Sequence, residues 1–283
     1  MLHTYRPTYE YQDFMTLDFH SIRAVVLDMD GVLWRGREPL PGVPEFFAFL
    51  QSQALPYALA TNNSTTSVEA YVTRLAEVGV PATPEQIITS AVATAAYVRR
   101  HYPPDTPVYI VGESGLHQAL SDDGFHVDPD AARLVIAGLD RQLTYDKIRI
   151  AAARIRAGAD FIGTNPDRTF PMPEGLIPGA GTVLAAIEAA TDVRPLVIGK
   201  PEPPMFAVAA DRLGATPDTT LMIGDRLDTD ILGAQRAGLR TALVLTGITT
   251  ADEARTSDIQ ADAVFEGLPD LHAAWQASLA YSR

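Results

Sequence analysis

VVLDMDGVLW, residues 25–34, begins as an apolar strand and ends on two aspartates one residue apart, Asp28 and Asp30. Two anions this close repel each other, and each resists removal from water. A bound cation, a phosphate-handling site or a solvent-exposed turn would each resolve that conflict. Three further apolar runs end in the same way: PYALATNNS at Thr61, PLVIGKP at Lys200 and TLMIGDRLDTD at Asp225. Short continuous runs of Val, Ile and Leu suit strands buried on both faces, as in a parallel sheet. Between them lie helical patterns. SVEAYVTRLAEVGV puts Val68, Val72, Leu75 and Val78 on one face with Gly79 as its stop, and DILGAQRAG stops near Gly238. The alternation predicts a doubly wound, Rossmann-like parallel α/β sheet, whose ligands bind at the carboxyl ends of the strands. All four polar residues are then expected at one edge of one sheet.

Bulk properties narrow the partners. The chain has 283 residues, enough for a large core and two folding units. Its formal net charge is −13 and it has no long basic run, which disfavours nucleic acid. It contains no cysteine, so disulfides and thiolate metal sites are excluded. The first 23 residues lack the pattern of a signal peptide, and no run approaches the ~18 apolar residues of a membrane span. The expectation is a cytoplasmic protein with no membrane and no nucleic-acid partner.

The four strand ends define a chemistry. Asp28, Asp30 and Asp225 supply oxygen ligands of the kind Mg²⁺ prefers, and no His pair suggests zinc instead. Thr61 offers a hydroxyl, the turn after it backbone N–H groups, and Lys200 a compact positive charge. Such a set can cradle a phosphoryl group and balance its charge in transfer. One carboxylate can attack phosphorus while another protonates the leaving oxygen and then activates water. Taken singly, each motif is equally a turn, a helix cap or a solvated loop. Their joint occurrence at four strand ends favours the chemical reading.

In these four motifs, DMDGVLW, Thr61, Lys200 and GDRLDTD, the sequence resembles the haloacid dehalogenase superfamily from about residue 20 to 270. The resemblance implies Asp28 as nucleophile and Asp30 as general acid/base. It implies Mg²⁺ held by Asp28, the carbonyl of Asp30 and Asp225, with Thr61 and Lys200 on the phosphoryl group. Asn62 is expected to donate through its backbone, and Asn63 to line the substrate beside it. Asp230 is read either as support for the metal shell or as a residue at a helix N-terminus.

Spacing adds an inserted domain. Asp28 and Thr61 are 33 positions apart, which leaves room for one helix and its loops, whereas Thr61 and Lys200 are 139 apart. The excess, about 90 residues, is more than one crossover needs and predicts an inserted α/β cap domain. The expected division is a core of 1–103, a cap of 104–192 and a return to the core over 193–283. With Trp34 in DGVLWRG, and with GESGL and GTNPDRTFP, the chain is similar to the NagD-like, p-nitrophenyl phosphatase-like branch with its large C2-type cap. Within the cap, PVYIVG suits a strand of either the core or the cap. Asn165, Asp167 and Arg168 are expected substrate contacts, and Arg168 is equally readable as a solvated loop charge. The leading expectation is a Mg²⁺-dependent phosphatase of small phosphorylated metabolites, with a homodimer through the cap implied by the resemblance. A phosphotransferase of the same superfamily and a non-catalytic metabolite-binding Rossmann-like protein are the alternatives.

Overall fold

The structure is a computed structural model and describes residues 17–172 and 175–280. Along the chain the strands are β1 (Ala24–Leu27), β2 (Trp34–Arg35), β3 (Glu38–Pro39), β4 (Tyr57–Thr61), β5 (Ile87–Thr89), β6 (Val108–Val111) and β7 (Leu134–Ala137). They continue as β8 (Asp160–Gly163), β9 (Thr169–Met172), β10 (Gly175–Pro178), β11 (Leu196–Val197), β12 (Thr220–Gly224), β13 (Arg240–Val244) and β14 (Ala263–Phe265). Two parallel sheets dominate: one of six strands in the order β14-β13-β12-β1-β4-β5, and one of four in the order β11-β8-β7-β6.

The apolar runs form strands because both of their faces are covered. In β1, Val25 and Leu27 enter one core cluster and Val26 the other. In β4, Tyr57 and Leu59 face the first cluster and Ala58 and Ala60 the second; β12 divides Leu221 and Ile223 from Met222 in the same way. The helix Val68–Glu77 buries Tyr71 and Leu75, with Val68 and Val72 packed at the edge of the first cluster. The helix Tyr145–Arg156 buries Ala151, Ala152 and Ile155.

Two sequence readings change. PLVIGKP does not join the six-stranded sheet: β11 pairs with β8, so Lys200 is delivered from the second sheet. Its strand is only two residues long, with Leu196 45% exposed, as befits an edge, and a short run carries no mark of which sheet it will join. The second sheet therefore extends to Val197, past the expected boundary at 192. PVYIVG, left open between two sheets, is β6 of the second. The core sheet also takes in β5, β13 and β14, which the four-run reading omits.

The two sheets share an apolar interior. Val108, Ile110, Leu134, Ile136 and Ile162 from one face of the second sheet lie in the same buried cluster as Val26, Ala58, Ala60 and Met222 of the first. The helices Ser90–His101 and Pro203–Leu213 contribute Ala91, Ala95, Val98, Met205 and Phe206 to the same cluster. The loops that follow β4, β8 and β11 meet, so the carboxyl ends of strands from both sheets converge on one place. Among the described residues, no helix is long and apolar enough to cross a membrane.

Candidate active site

At that place β1 leads directly into Asp28, whose backbone N–H is held by the carbonyl of Ile223 at 2.9 Å. β12 ends one residue before Asp225. A turn of π-helix, Leu227–Ile231, follows and swings Asp230 back over the strand end. The Asp230 Oδ2 accepts from the backbone N–H of Arg226 at 3.1 Å. Lys200 enters from β11 and is buried. Its Nζ donates to Asp28 Oδ1 at 2.6 Å and to the carbonyl of Ala60 at 3.1 Å. Nζ also stands 2.7 Å from Asp230 Oδ1, an ion-pair distance.

One cation thus faces three carboxylates. Oxygens of Asp28, Asp225 and Asp230 all lie within 4.8 Å of one another, and all three residues are buried. Burial alone would lower the Lys200 ammonium, but Asp230 and Asp28 outweigh it and hold the group above its usual range. The acids pay for the crowding. Burial pushes Asp28 well above the carboxylate range, with Asp230 and Asp225 adding to the rise against the opposing pull of Lys200. Burial and then Asp230 push Asp225 up to about 7, although the N–H of Ile248 opposes the shift.

These oxygens fit a divalent cation. Asp225 Oδ1 is buried and has no hydrogen-bond partner among the described residues. An all-oxygen set with surplus negative charge is what a hard ion such as Mg²⁺ requires. The side chain of Asp30 stands apart from the three: its Oδ1 accepts from the indole N–H of Trp34 at 2.8 Å. Asp230 lies with the metal-competent oxygens and also closes its own turn on Arg226, so it shows features of both roles read for it.

Asn62 ties together the loops that carry Lys200 and Asp167. Its Oδ1 accepts from the Lys200 N–H at 2.8 Å, and its Nδ2 donates to the Lys200 carbonyl at 2.8 Å and to Asp167 Oδ2 at 3.0 Å. The side chain of Asn62, and not only its backbone, is therefore structural. Thr61 is buried at the end of β4, and its Oγ1 accepts from the N–H of Asn63 at 3.2 Å. Asn63 spends its own Oδ1 on the N–H and hydroxyl of Thr65 at 2.7 and 2.8 Å, which shapes the turn.

The cap residues divide. Asn165 is buried and donates to the Asn62 carbonyl at 2.7 Å. Asp167 reaches Asn62, and burial raises its carboxyl. Arg168 is exposed; its carbonyl accepts from Gly179 N–H at 2.8 Å and Thr182 Oγ1 at 3.0 Å. Asn165 and Asp167 are thus brought to the site as ties between the two sheets, and Arg168 stands at the surface of the same turn.

The sequence reading misses Gly247 and Ile248, which follow β13. The N–H of Ile248 donates to Asp225 Oδ2 at 2.7 Å. A Cβ on Gly247 would lie 1.8 Å from that same oxygen, so only glycine lets the loop close on Asp225. The signal was present in TALVLTG, another apolar run ending in a turn.

A pH dependence follows from Asp225. Unfolded, its carboxyl titrates near ~4, and folded near about 7. The raised value means that the fold favours the protonated acid. The resulting cost is absent below about pH 4, grows through the interval and is complete above about pH 7. Protein kept in chelator is therefore expected to melt at a higher temperature at about pH 6 than at about pH 8, with added Mg²⁺ restoring the melting temperature at the higher pH. Thermal melts of the parent and of Asp225→Asn check this, and an equal slope in both proteins counts against Asp225 as its source.

A strand-end cluster of this kind, on a parallel sheet with a second α/β sheet inserted, suits the handling of a phosphoryl group. The comparisons agree. The family model described as haloacid dehalogenase-like hydrolase matches residues 25–126, and a related model of the same class matches 197–271. An acid sugar phosphatase of Staphylococcus aureus is 36% identical over 247 residues, covering 87% of this chain and 95% of that one. A double mutant of a thermostable NPPase from Geobacillus stearothermophilus is 39% identical with a TM-score of 0.83, covering 88% and 98% of the two chains. NagD from E. coli K-12 is 33% identical with a TM-score of 0.82, covering 87% and 97%. The chain belongs to the haloacid dehalogenase-like hydrolases, and it is an enzyme of their phosphatase type.

Proposed function

We propose that the protein hydrolyses small phosphomonoesters, sugar phosphates among them, through an aspartyl-phosphate on Asp28 and with Mg²⁺ as cofactor. The observation that carries this reading is the arrangement of Asp28 and Asp225. Asp28 Oδ1 is fixed by Lys200 Nζ at 2.6 Å, and the buried Asp225 Oδ1 beside it has no partner of its own among the described residues. The curated relative named an acid sugar phosphatase supports the substrate class.

Asp28 attacks phosphorus through a carboxylate oxygen, and the bond from phosphorus to the leaving oxygen breaks. Asp30 gives its proton to that oxygen. It then takes a proton from the water that attacks the aspartyl-phosphate, releasing inorganic phosphate and restoring Asp28. Lys200 and Thr61 hold the phosphoryl oxygens, and Asn62 holds Lys200. Asp28, Asp225 and the carbonyl of Asp30 would hold Mg²⁺, with Asp230 behind them; when bound, it supplies positive charge against the phosphoryl oxygens. Arg168, exposed on the turn next to Asp167, is the group available to an anionic leaving group.

The test is phosphate release from a panel of phosphorylated metabolites, before and after chelation. Activity is expected to vanish in EDTA and return with Mg²⁺. Ca²⁺ should restore it poorly, because it takes more ligands at longer distances. Asp225→Asn should raise the Mg²⁺ concentration needed for half-activity by on the order of tenfold or more, since a metal ligand is lost. Full turnover after exhaustive chelation would overturn the metal assignment. Transfer to an acceptor without net phosphate release would make the protein a phosphotransferase.

A further inference from the structure

We propose that Trp34 is a positioning residue for Asp30, fixing the rotation of its carboxyl by a hydrogen bond to one oxygen, and that Arg74 holds Trp34 in place. The inference rests on the role given to Asp30 above. Trp34 is buried completely, whereas Asp30 is exposed. The indole N–H reaches Asp30 Oδ1 at 2.8 Å. The backbone closes the same short loop: Gly31 N–H donates to the Trp34 carbonyl at 2.8 Å, and Leu33 N–H to the Met29 carbonyl at 2.8 Å. Donor and acceptor are thus carried on one tight turn.

Indole nitrogen is a donor only. It holds Oδ1 through a lone pair and so fixes the rotation of the carboxyl. Oδ2 is then the oxygen presented for proton transfer. In the forward step that proton goes to the leaving oxygen as its bond to phosphorus breaks; in the second step the same oxygen takes a proton from the attacking water. Without the indole, the carboxyl can rotate, and the fraction of time in reactive geometry falls.

The ring has its own clamp. The guanidinium carbon of Arg74 lies 3.8 Å from the centroid of the Trp34 ring. Arg74 also donates to the carbonyl of Gly36, just beyond β2. It extends from the helix Val68–Glu77, whose Tyr71 and Leu75 are buried, so the clamp is anchored in the core. A cation over indole is the most favourable of such pairs.

The experiment compares leaving groups. p-Nitrophenolate departs without a proton, whereas an alkoxide requires one. For Trp34→Phe, kcat/KM on an alkyl phosphomonoester is expected to fall about tenfold, within the ~10²–10⁴-fold that general acid catalysis supplies. On p-nitrophenyl phosphate the fall should stay within about twofold, because little protonation is needed there. In an Asp30→Asn background, Trp34→Phe should cost nothing further. Arg74→Leu should repeat the selective loss in smaller measure. An equal fall on both substrates, or an undiminished loss in the Asp30→Asn background, overturns the proposal.

A readout free of activity accompanies these rates. The chain has two tryptophans, so its indole N–H resonances are assignable from the single variant Trp275→Phe. In metal-free protein the Trp34 indole resonance should move on Asp30→Asn, with that of Trp275 unmoved; no movement overturns the proposal even if Trp34→Phe does not fold. Should the parent release no phosphate from either substrate, the phosphatase reading fails, and the indole resonance still decides the contact.

Discussion

Asp28→Asn is expected to yield a folded protein with no measurable turnover, a loss on the order of 10⁴-fold or more, as when a covalent nucleophile is removed. An amide neither attacks phosphorus usefully nor replaces a carboxylate as a Mg²⁺ ligand. The structure adds a second half to the prediction. Burial, Asp230 and Asp225 all raise the Asp28 carboxyl, so at neutral pH its charge is a cost to the fold that Lys200 only partly offsets. Asn removes that cost. The variant in chelator should therefore melt at or above the temperature of the parent, and Mg²⁺ should stabilise it less than it stabilises the parent. Steady-state assays and melts with and without Mg²⁺ measure both halves. Substantial turnover by the pure, folded variant would falsify the covalent mechanism.

Lys200→Met should cost both activity and stability. The ammonium is buried, 2.6 Å from Asp28 and 2.7 Å from Asp230. Removing one partner of a buried ion pair leaves the others uncompensated and typically costs about 3–5 kcal/mol. The loss should be smaller at about pH 5 than at about pH 8, because carboxylates already raised by burial can shed their charge by taking up protons. Lys200→Arg should not rescue it: the site holds a compact ammonium between two carboxylates and the Ala60 carbonyl, and a planar guanidinium has a different shape and reach. Denaturant unfolding at the two pH values reads the effect. A cost below about 1 kcal/mol at neutral pH, the range of an exposed pair, would show that Lys200 does not balance the cluster.

Much of this site was legible before folding. Strands buried on both faces need continuous apolar runs, so AVVL, YALAT and TLMIG announced themselves, and polar residues at their carboxyl ends had to serve a ligand or lie at a surface. The 139 positions between Thr61 and Lys200 required an insertion whatever its fold. Residue types at strand ends, and spacings along the chain, are properties of the one-dimensional pattern, and they pointed to the α/β class, to an insertion and to the candidate residues Asp28, Thr61, Lys200 and Asp225.

Only the tertiary structure decided which surfaces those residues share. PLVIGKP reads like the other runs, yet it pairs with β8, because a two-residue strand is placed by the neighbours that cover it and not by its own composition. Asn165 and Asp167 read as substrate contacts, and they lie against Asn62, more than 100 positions away in sequence. Gly247 became informative once Asp225 stood against its backbone, and Trp34 once its N–H met Asp30. Each of these is a hydrogen bond or a close approach whose cost or gain depends on distance and angle, and neither quantity exists until the chain has packed.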